Sequence, residues 1–242
     1  MIEPYYSDDF VTIYHGDCLE IIPEIASVDL VVTSPPYNLG DTSKYRNGRK
    51  KSSMANHISN GYNSYSDDLS HEEYINWHKR VVSECWKTLT DKGAMFWNHK
   101  PRVKGNEVKL PLELLPGEVL LRQIIIWDRG NGFNRTGSFF VPSHEWILLI
   151  AKPDFRIKTR NVTDVWRIHP NADNTHPASF PLKLPLTAIS SNDAQMILDP
   201  FMGSGTTLRA AKDLGRKAIG IEIDEQYCET AVKRLAQEVL FA

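Results

Sequence analysis

The segment Asp199-Pro-Phe-Met-Gly-Ser-Gly-Thr-Thr207 sets two glycines between an apolar run and the start of a helix-like stretch. Gly203 and Gly205 permit a tight turn and a close backbone approach, so a ligand can sit against strand ends and a helix N-terminus. The segment is not a dinucleotide fingerprint, because no third glycine follows at the required spacing. Nor is it a phosphate-binding P-loop, because Gly-Lys-Ser/Thr is missing. Glu222 follows Gly205 by 17 positions, within Gly220-Ile-Glu-Ile-Asp224. At the end of a strand such a carboxylate can accept both hydroxyls of a ribose. Alone, Glu222 would more often be a surface carboxylate; with the upstream turn it reads as part of a nucleoside-binding half.

Thr33-Ser-Pro-Pro-Tyr-Asn38 carries a second kind of chemistry. Each proline restricts itself and its predecessor, so Pro35 and Pro36 hold the backbone extended and stiff. Ser34 and Tyr37 are thereby fixed at a sheet edge. A rigid aromatic, a small hydrogen-bonding side chain and a bare carbonyl are what a base extruded from a stack requires: a stacking face, and acceptors for its amino hydrogens. The bland reading of the same residues is a proline turn.

Both segments need a framework to hold them. Val11–Tyr14, Leu30–Thr33, Ala94–Asn98, Ile124–Trp127, Trp146–Ile150, Met196–Leu198 and Ala218–Ile221 read as strands from their apolar and β-branched content. Ser70 to Glu73 has a capping-box pattern opening a helix, with Ile75, Val82, Cys85, Trp86 and Leu89 as its apolar positions before a stop at Asp91-Lys92-Gly93. Further helices are expected near Leu112–Leu115, ending near Ser191, over Thr206–Leu214 and over Glu225–Leu240. The alternation predicts one α/β domain over residues 1–242: a mainly parallel, seven-stranded type of sheet with helices on both faces, and a hairpin-like pair (Ile124–Trp127, Trp146–Ile150) at one edge. Two polar insertions interrupt it, near 40–66 and 99–109.

The chain has 242 residues, 41% hydrophobic and 24% charged, with net charge -2. That is enough to bury one sizeable core. The 40–66 insertion carries Lys44, Arg46, Arg49, Lys50 and Lys51 against Asp41, a net +4 on an otherwise acidic body. This is the footprint of a protein that touches phosphate in one place, or else of a solvated loop. No apolar run reaches membrane-spanning length and the opening residues lack a secretory layout, so a cytoplasmic location without membrane association is expected. Cys18, Cys85 and Cys228 are widely separated, which fits reduced thiols and offers no metal-ligand spacing.

The Ser-Pro-Pro-Tyr, Asp-Pro-Phe-x-Gly-x-Gly and Gly-Ile-Glu-Ile-Asp segments together resemble the amino-methyltransferases of restriction-modification systems. Their order, catalytic segment early and cofactor loop late, is similar to the circularly reordered beta group. His15-Gly-Asp-Cys18, His176-Pro-Ala178, Pro181 and Leu182 extend the resemblance over nearly the whole chain. The resemblance implies the S-adenosyl-L-methionine-dependent methyltransferase fold. It implies base flipping from double-stranded DNA, with Ser34, Pro35, Pro36 and Tyr37 handling the target base. For the cofactor it implies Asp17 on the adenine, Glu222 on the ribose, and a pocket wall from the Asp199 segment with Phe201, Gly203 and Gly205. Serine before Pro-Pro-Tyr usually goes with cytosine N4, and Asp or Asn with adenine N6. Carbon-5 methylation would need a thiolate, conventionally in a Pro-Cys pair, and the three cysteines follow Asp17, Glu84 and Tyr227. Between Ile150 and His176 there is little room for a separate recognition region. Recognition is therefore expected from the two insertions and Asn131–Arg135, or from a homodimer partner or recognition subunit. Trp166 and His169 are expected to pack rather than contact a base. The alternatives are an adenine-N6 enzyme and a catalytically silent DNA-binding or specificity subunit of the same fold.

Overall fold

A computed structural model describes residues 2–38, 69–104, 106–130, 132, 137–170 and 180–236. In chain order its strands are β1 (Tyr6–Ser7), β2 (Val11–His15), β3 (Val28–Thr33), β4 (Leu89–His99), β5 (Arg102–Lys104), β6 (Glu107–Lys109), β7 (Leu121–Asp128), β8 (His144–Ala151), β9 (Val165–Arg167), β10 (Met196–Asp199) and β11 (Lys217–Glu222). Its α-helices are α1 (Cys18–Ile21), α2 (His71–Thr88), α3 (Lys183–Ser190), α4 (Thr206–Asp213) and α5 (Glu225–Leu235).

Nine strands form one sheet in the order β1-β2-β11-β10-β3-β4-β8-β7-β9. The five from β2 to β4 are mutually parallel, β8 runs antiparallel between β4 and β7, and the expected seven strands are flanked by short edge strands β1 and β9. The hairpin-like pair is β7 and β8, but β9 covers its outer side; three residues in a polar stretch are too few to give a period.

Side chains alternate across the sheet, as a pleat requires. Ala94, Phe96, Ile147 and Leu149 pack on one face with residues of α3, α4 and α5, and Met95, Trp97, Leu148 and Ile150 pack on the other with Val81, Val82 and Cys85 of α2. Helices thus cover both faces.

The capping box at α2 forms as expected, Ser70 Oγ accepting from Glu73 N at 3.3 Å and Glu73 Oε2 accepting from Ser70 N at 3.0 Å. The buried stripe of α2 is Tyr74, His78, Val81, Val82 and Cys85, so an aromatic and an imidazole hold positions that a count of aliphatics passes over. Asp91-Lys92-Gly93 is no helix stop, since α2 ends at Thr88 and β4 already runs from Leu89. His99 closes that strand at 1% exposure, and the insertion behind it is an antiparallel ribbon of β5 and β6. The helix expected near Leu112 is a single 3-10 turn, Pro111–Leu114.

Candidate active site

A cavity opens where β2, β11, β10 and β3 end, with an empty volume of about 650 Å³ including its mouth. Open α/β sheets hold ligands at this end of their strands. The register of β2 on β11 pairs His15 with Glu222, and Gly16 N donates to the Glu222 carbonyl at 2.9 Å. Two segments far apart in the chain therefore present Asp17 and Glu222 to one space. Asp17 caps α1 through Leu19 N at 2.8 Å.

Glu222 is 7% exposed. Its Oε2 accepts from Gly203 N at 2.9 Å and its Oε1 from Asp224 N at 3.0 Å. Burial outweighs these backbone bonds and pushes the carboxyl up to about 7. Each oxygen retains acceptor capacity for a ligand hydroxyl. Trp77 from α2 and Phe201 also border the cavity, their ring centroids 5.5 Å apart, and give it an apolar wall. Motif spacing does not single out Trp77, although stepping back along the helix from Val81 reaches it.

Two expected cofactor residues lie elsewhere. Asp199 is 1% exposed and does not line the cavity. Its Oδ1 accepts from Thr33 Oγ1 at 2.6 Å and Phe201 N at 3.1 Å, and burial pushes it up to about 6. It therefore ties the strand leading into Ser34 to the loop carrying Phe201. Gly205 caps α4 at φ 77, where an added Cβ would stand 2.9 Å from Ala231 Cβ. Its need is left-handed backbone and contact with α5, not the cavity. Gly203, at φ 51, does border it.

Ser34 and Pro36 line the same cavity, with Pro35 buried behind them. The Ser34 Oγ and Tyr37 Oη atoms lie 2.9 Å apart, and Tyr37 Oη donates to Glu145 Oε2 at 2.8 Å. Asn98 Nδ2 stands within 2.8 Å of both Tyr37 Oη and Glu145 Oε2, and Arg129 Nη1 pairs with Glu145 Oε1 at 3.0 Å. Burial, with Glu145 beside it, holds the Tyr37 hydroxyl well above its ordinary range. Tyr74 Oη donates to the Pro36 carbonyl at 2.7 Å. The Arg102 guanidinium donates to the carbonyls of Tyr37 and Asn38. That second insertion was expected to meet DNA, and here its arginine clamps the Pro-Pro-Tyr segment. The Lys100 ammonium stands 5.1 Å from the Tyr37 ring centre. His99, whose ring centre stands 4.7 Å from that of Tyr37, and Asn98, Glu145 and Arg129 are not visible in the sequence, because they reach the site through strand pairing and not through local spacing.

Trp166 packs as expected, stacked 6.1 Å from Phe96. His169 is exposed instead, beside Gly130. Lys44, Arg46, Arg49, Lys50 and Lys51, Asn131 and residues 133–135, and His176–Ala178 lie outside the described residues. All three cysteines are buried free thiols. Burial raises Cys18 and Cys85 well above the thiol range and Cys228 up to about 12. None is a thiolate of the kind that attack at a ring carbon requires.

Residues 28–233 match the family described as DNA methylase, the N6/N4 type. The Type II methyltransferase M.ScaI of Streptomyces caespitosus is 30% identical over 281 residues, covering 98% of this chain and 84% of that protein. A complex of M1.HpyAVI with SAM has a TM-score of 0.63 at 25% identity, over 93% of this chain and 100% of the other. The PvuII DNA methyltransferase, cytosine-N4-specific, has a TM-score of 0.76 over 100% of this chain and 91% of its own; at 19% identity that likeness is one of fold. With its fold, its cavity and the family match in agreement, the chain belongs to the N6/N4 DNA methylases.

Proposed function

We propose that this chain transfers the methyl group of S-adenosyl-L-methionine to the N4 amino group of a cytosine turned out of double-stranded DNA. The observation that carries the reading is that Ser34 and Pro36 line the same cavity as Asp17, Phe201 and Glu222. The donor and the amino group would thus meet without crossing solvent.

The residues present fit the cofactor. Glu222 offers two carboxylate oxygens to ribose hydroxyls, Trp77 and Phe201 offer apolar surface, and Asp17, which the resemblance assigns to the adenine, lines the same cavity. When bound, S-adenosyl-L-methionine supplies a methyl group already activated on a sulfonium, so the protein's task is alignment and exclusion of water. Ser34 Oγ and a proline carbonyl would accept the amino hydrogens and favour a pyramidal, nucleophilic nitrogen. Tyr37 would stack on the base.

Cytosine is favoured because Ser34 is neutral. A carboxylate there would bring full charge toward the edge on which cytosine carries N3 and O2, whereas adenine presents only N1 beside its amino group. Lys44, Arg46, Arg49, Lys50 and Lys51 are assigned to phosphate. Neutralising Arg49, Lys50 and Lys51 should lower the logarithmic salt slope of DNA binding by about 0.9 for each phosphate that is no longer paired.

The reading is tested by digesting DNA treated with the purified chain and S-adenosyl-L-methionine, then separating the nucleosides by mass spectrometry. N4-methyl-2′-deoxycytidine is expected. N6-methyl-2′-deoxyadenosine would overturn the base assignment, and no methylated nucleoside would favour the silent-subunit alternative.

A further inference from the structure

Glu145 stands at the start of β8, opposite Trp127 on β7, and is 5% exposed. Nothing in its immediate sequence marks it as functional. Its two oxygens are nevertheless committed: Oε1 to Arg129 Nη1 at 3.0 Å, and Oε2 to Tyr37 Oη and Asn98 Nδ2, each at 2.8 Å. A carboxylate paired with guanidinium has no hydrogen to give, so every bond it makes is one it accepts.

That constraint propagates. Tyr37 has one hydroxyl hydrogen, and it points at Glu145. Toward its other neighbours Tyr37 Oη can then only accept. Those neighbours are Asn98 Nδ2 at 2.8 Å and Ser34 Oγ at 2.9 Å. The single hydrogen of Ser34 therefore points at Tyr37, and the serine oxygen keeps its lone pairs for whatever else it meets. The Asn98 amide obeys the same carboxylate, since reversing it would set oxygen against oxygen at Glu145 Oε2. Asn98 has two amide hydrogens for Glu145 Oε2 and Tyr37 Oη at 2.8 Å each, so its longer 3.2 Å approach to Ser34 Oγ takes at most a share of one of them and leaves the serine at least one lone pair. Because Ser34 borders the cavity, the remaining lone pair is available to a ligand there.

We propose that Glu145 is a positioning residue that sets the direction of the chain Ser34 to Tyr37 to Glu145, and so presents Ser34 as an acceptor for an amino hydrogen. Arg129 holds that carboxylate in place. The hydroxyl of Tyr37, which its buried surroundings keep protonated, transmits the direction. The proposal rests on the amino-methylation reading and says why a serine, which could equally donate, acts in one sense only. It also assigns the β7–β8 pair a part in the chemistry, since Arg129 and Glu145 sit on its two sides.

Glu145→Gln is the discriminating variant. Its shape is nearly that of glutamate, but Arg129 demands an acceptor. The amide oxygen will turn to Arg129 and the NH2 group to Tyr37. That NH2 group also meets Asn98, whose amide must reverse, so Tyr37 loses its fixed acceptor, can donate to Ser34 or to the Asn98 oxygen, and no longer holds the Ser34 hydrogen away from the cavity. The rate of a single turnover should fall about tenfold, because a Ser34 hydrogen that faces the amino hydrogen leaves both unpaired. Affinity for S-adenosyl-L-methionine should stay at the wild-type value, while the melting temperature should fall because Arg129 loses its buried counter-charge. Tyr37→Phe cuts the same chain and should lose rate to a similar degree. The double variant should be no slower than the slower single one, because the two act in series. A wild-type rate in Glu145→Gln, or losses that multiply in the double variant, overturns the proposal. If Glu145→Gln does not fold, Tyr37→Phe decides, and a wild-type rate there is equally fatal. Wild-type protein that methylates no DNA would instead sink the underlying reading, so the two failures are distinguishable.

Discussion

Two carboxylates are buried at the site, and their surroundings differ. Glu145 is met by a guanidinium, a phenol and an amide. Among the described residues, Glu222 is hydrogen-bonded by backbone N–H groups, and burial raises it to about 7. A carboxylate enclosed by charged and polar side chains is already satisfied and can serve as a fixed reference for its neighbours. One that is desolvated with spare acceptor capacity gains from a ligand that brings donors. In the proposed reading, the side that would take the target base is organised by protein partners, and the side that would take the cofactor keeps acceptor capacity for a ligand.

The sharpest way to break this contrast is Glu222→Ala. Loss of a bond to a charged group costs about 1.5–3 kcal/mol, so calorimetry should find S-adenosyl-L-methionine bound about tenfold to a hundredfold more weakly. Unchanged affinity in a folded variant would mean that Glu222 faces no ligand.

Asp199→Ala comes next. Because Asp199 joins Thr33 to Phe201 N, its removal leaves donors unpartnered inside the fold and should cost about 1–3 kcal/mol of stability in a denaturant titration. A variant as stable as wild type but failing to bind cofactor would restore a direct cofactor role. Gly205→Ala should cost about 1–2 kcal/mol, since φ 77 is left-handed and Ala231 stands in the way. Wild-type stability would show that the turn can relax.

The smallest effect is in pH. Burial lifts Glu222 from 4.5 to about 7, so the folded chain holds a proton that the unfolded chain releases. The resulting stability is complete below 4.5 and lost as pH rises through about 7. Ribose hydroxyls are donors and favour the ionised form, so affinity moves the opposite way. It should rise about tenfold between roughly pH 6 and pH 8, and Glu222→Gln should abolish the rise. Affinity that falls over that interval would contradict the assignment.

The same contrast accounts for what was legible in the sequence. Part of the proposed cofactor side is local: Gly203 and Glu222 belong to neighbouring motifs at two strand ends, so motif and spacing reach them, whereas Asp17 and Trp77 come from elsewhere in the chain. Asp199 and Gly205 belong to the same motif, yet their side-chain environments turn away from the cavity, which spacing does not reveal. The target side is non-local. Ser34 and Tyr37 are visible, but Asn98 and Glu145 come together only because β4 pairs with β8, placing Asn98 opposite Ile147. Arg129 follows β7 and returns to Glu145 across the β7–β8 pairing. The fold itself was readable from alternating apolar runs. Its edge strands and the ribbon of β5 and β6 were not, because two or three residues cannot display a period.

The central claim is that one cavity divides its labour, Glu222 holding the donor and Ser34 orienting the acceptor. Methyl transfer to DNA, measured over a range of S-adenosyl-L-methionine concentrations with Glu222→Ala and Ser34→Ala in parallel, tests it most directly. Glu222→Ala should approach the wild-type rate as cofactor is raised, a defect of KM, while Ser34→Ala should bind cofactor normally and stay slow at every concentration, a defect of kcat. If excess cofactor rescues Ser34→Ala, or leaves Glu222→Ala as slow as before, the division does not exist.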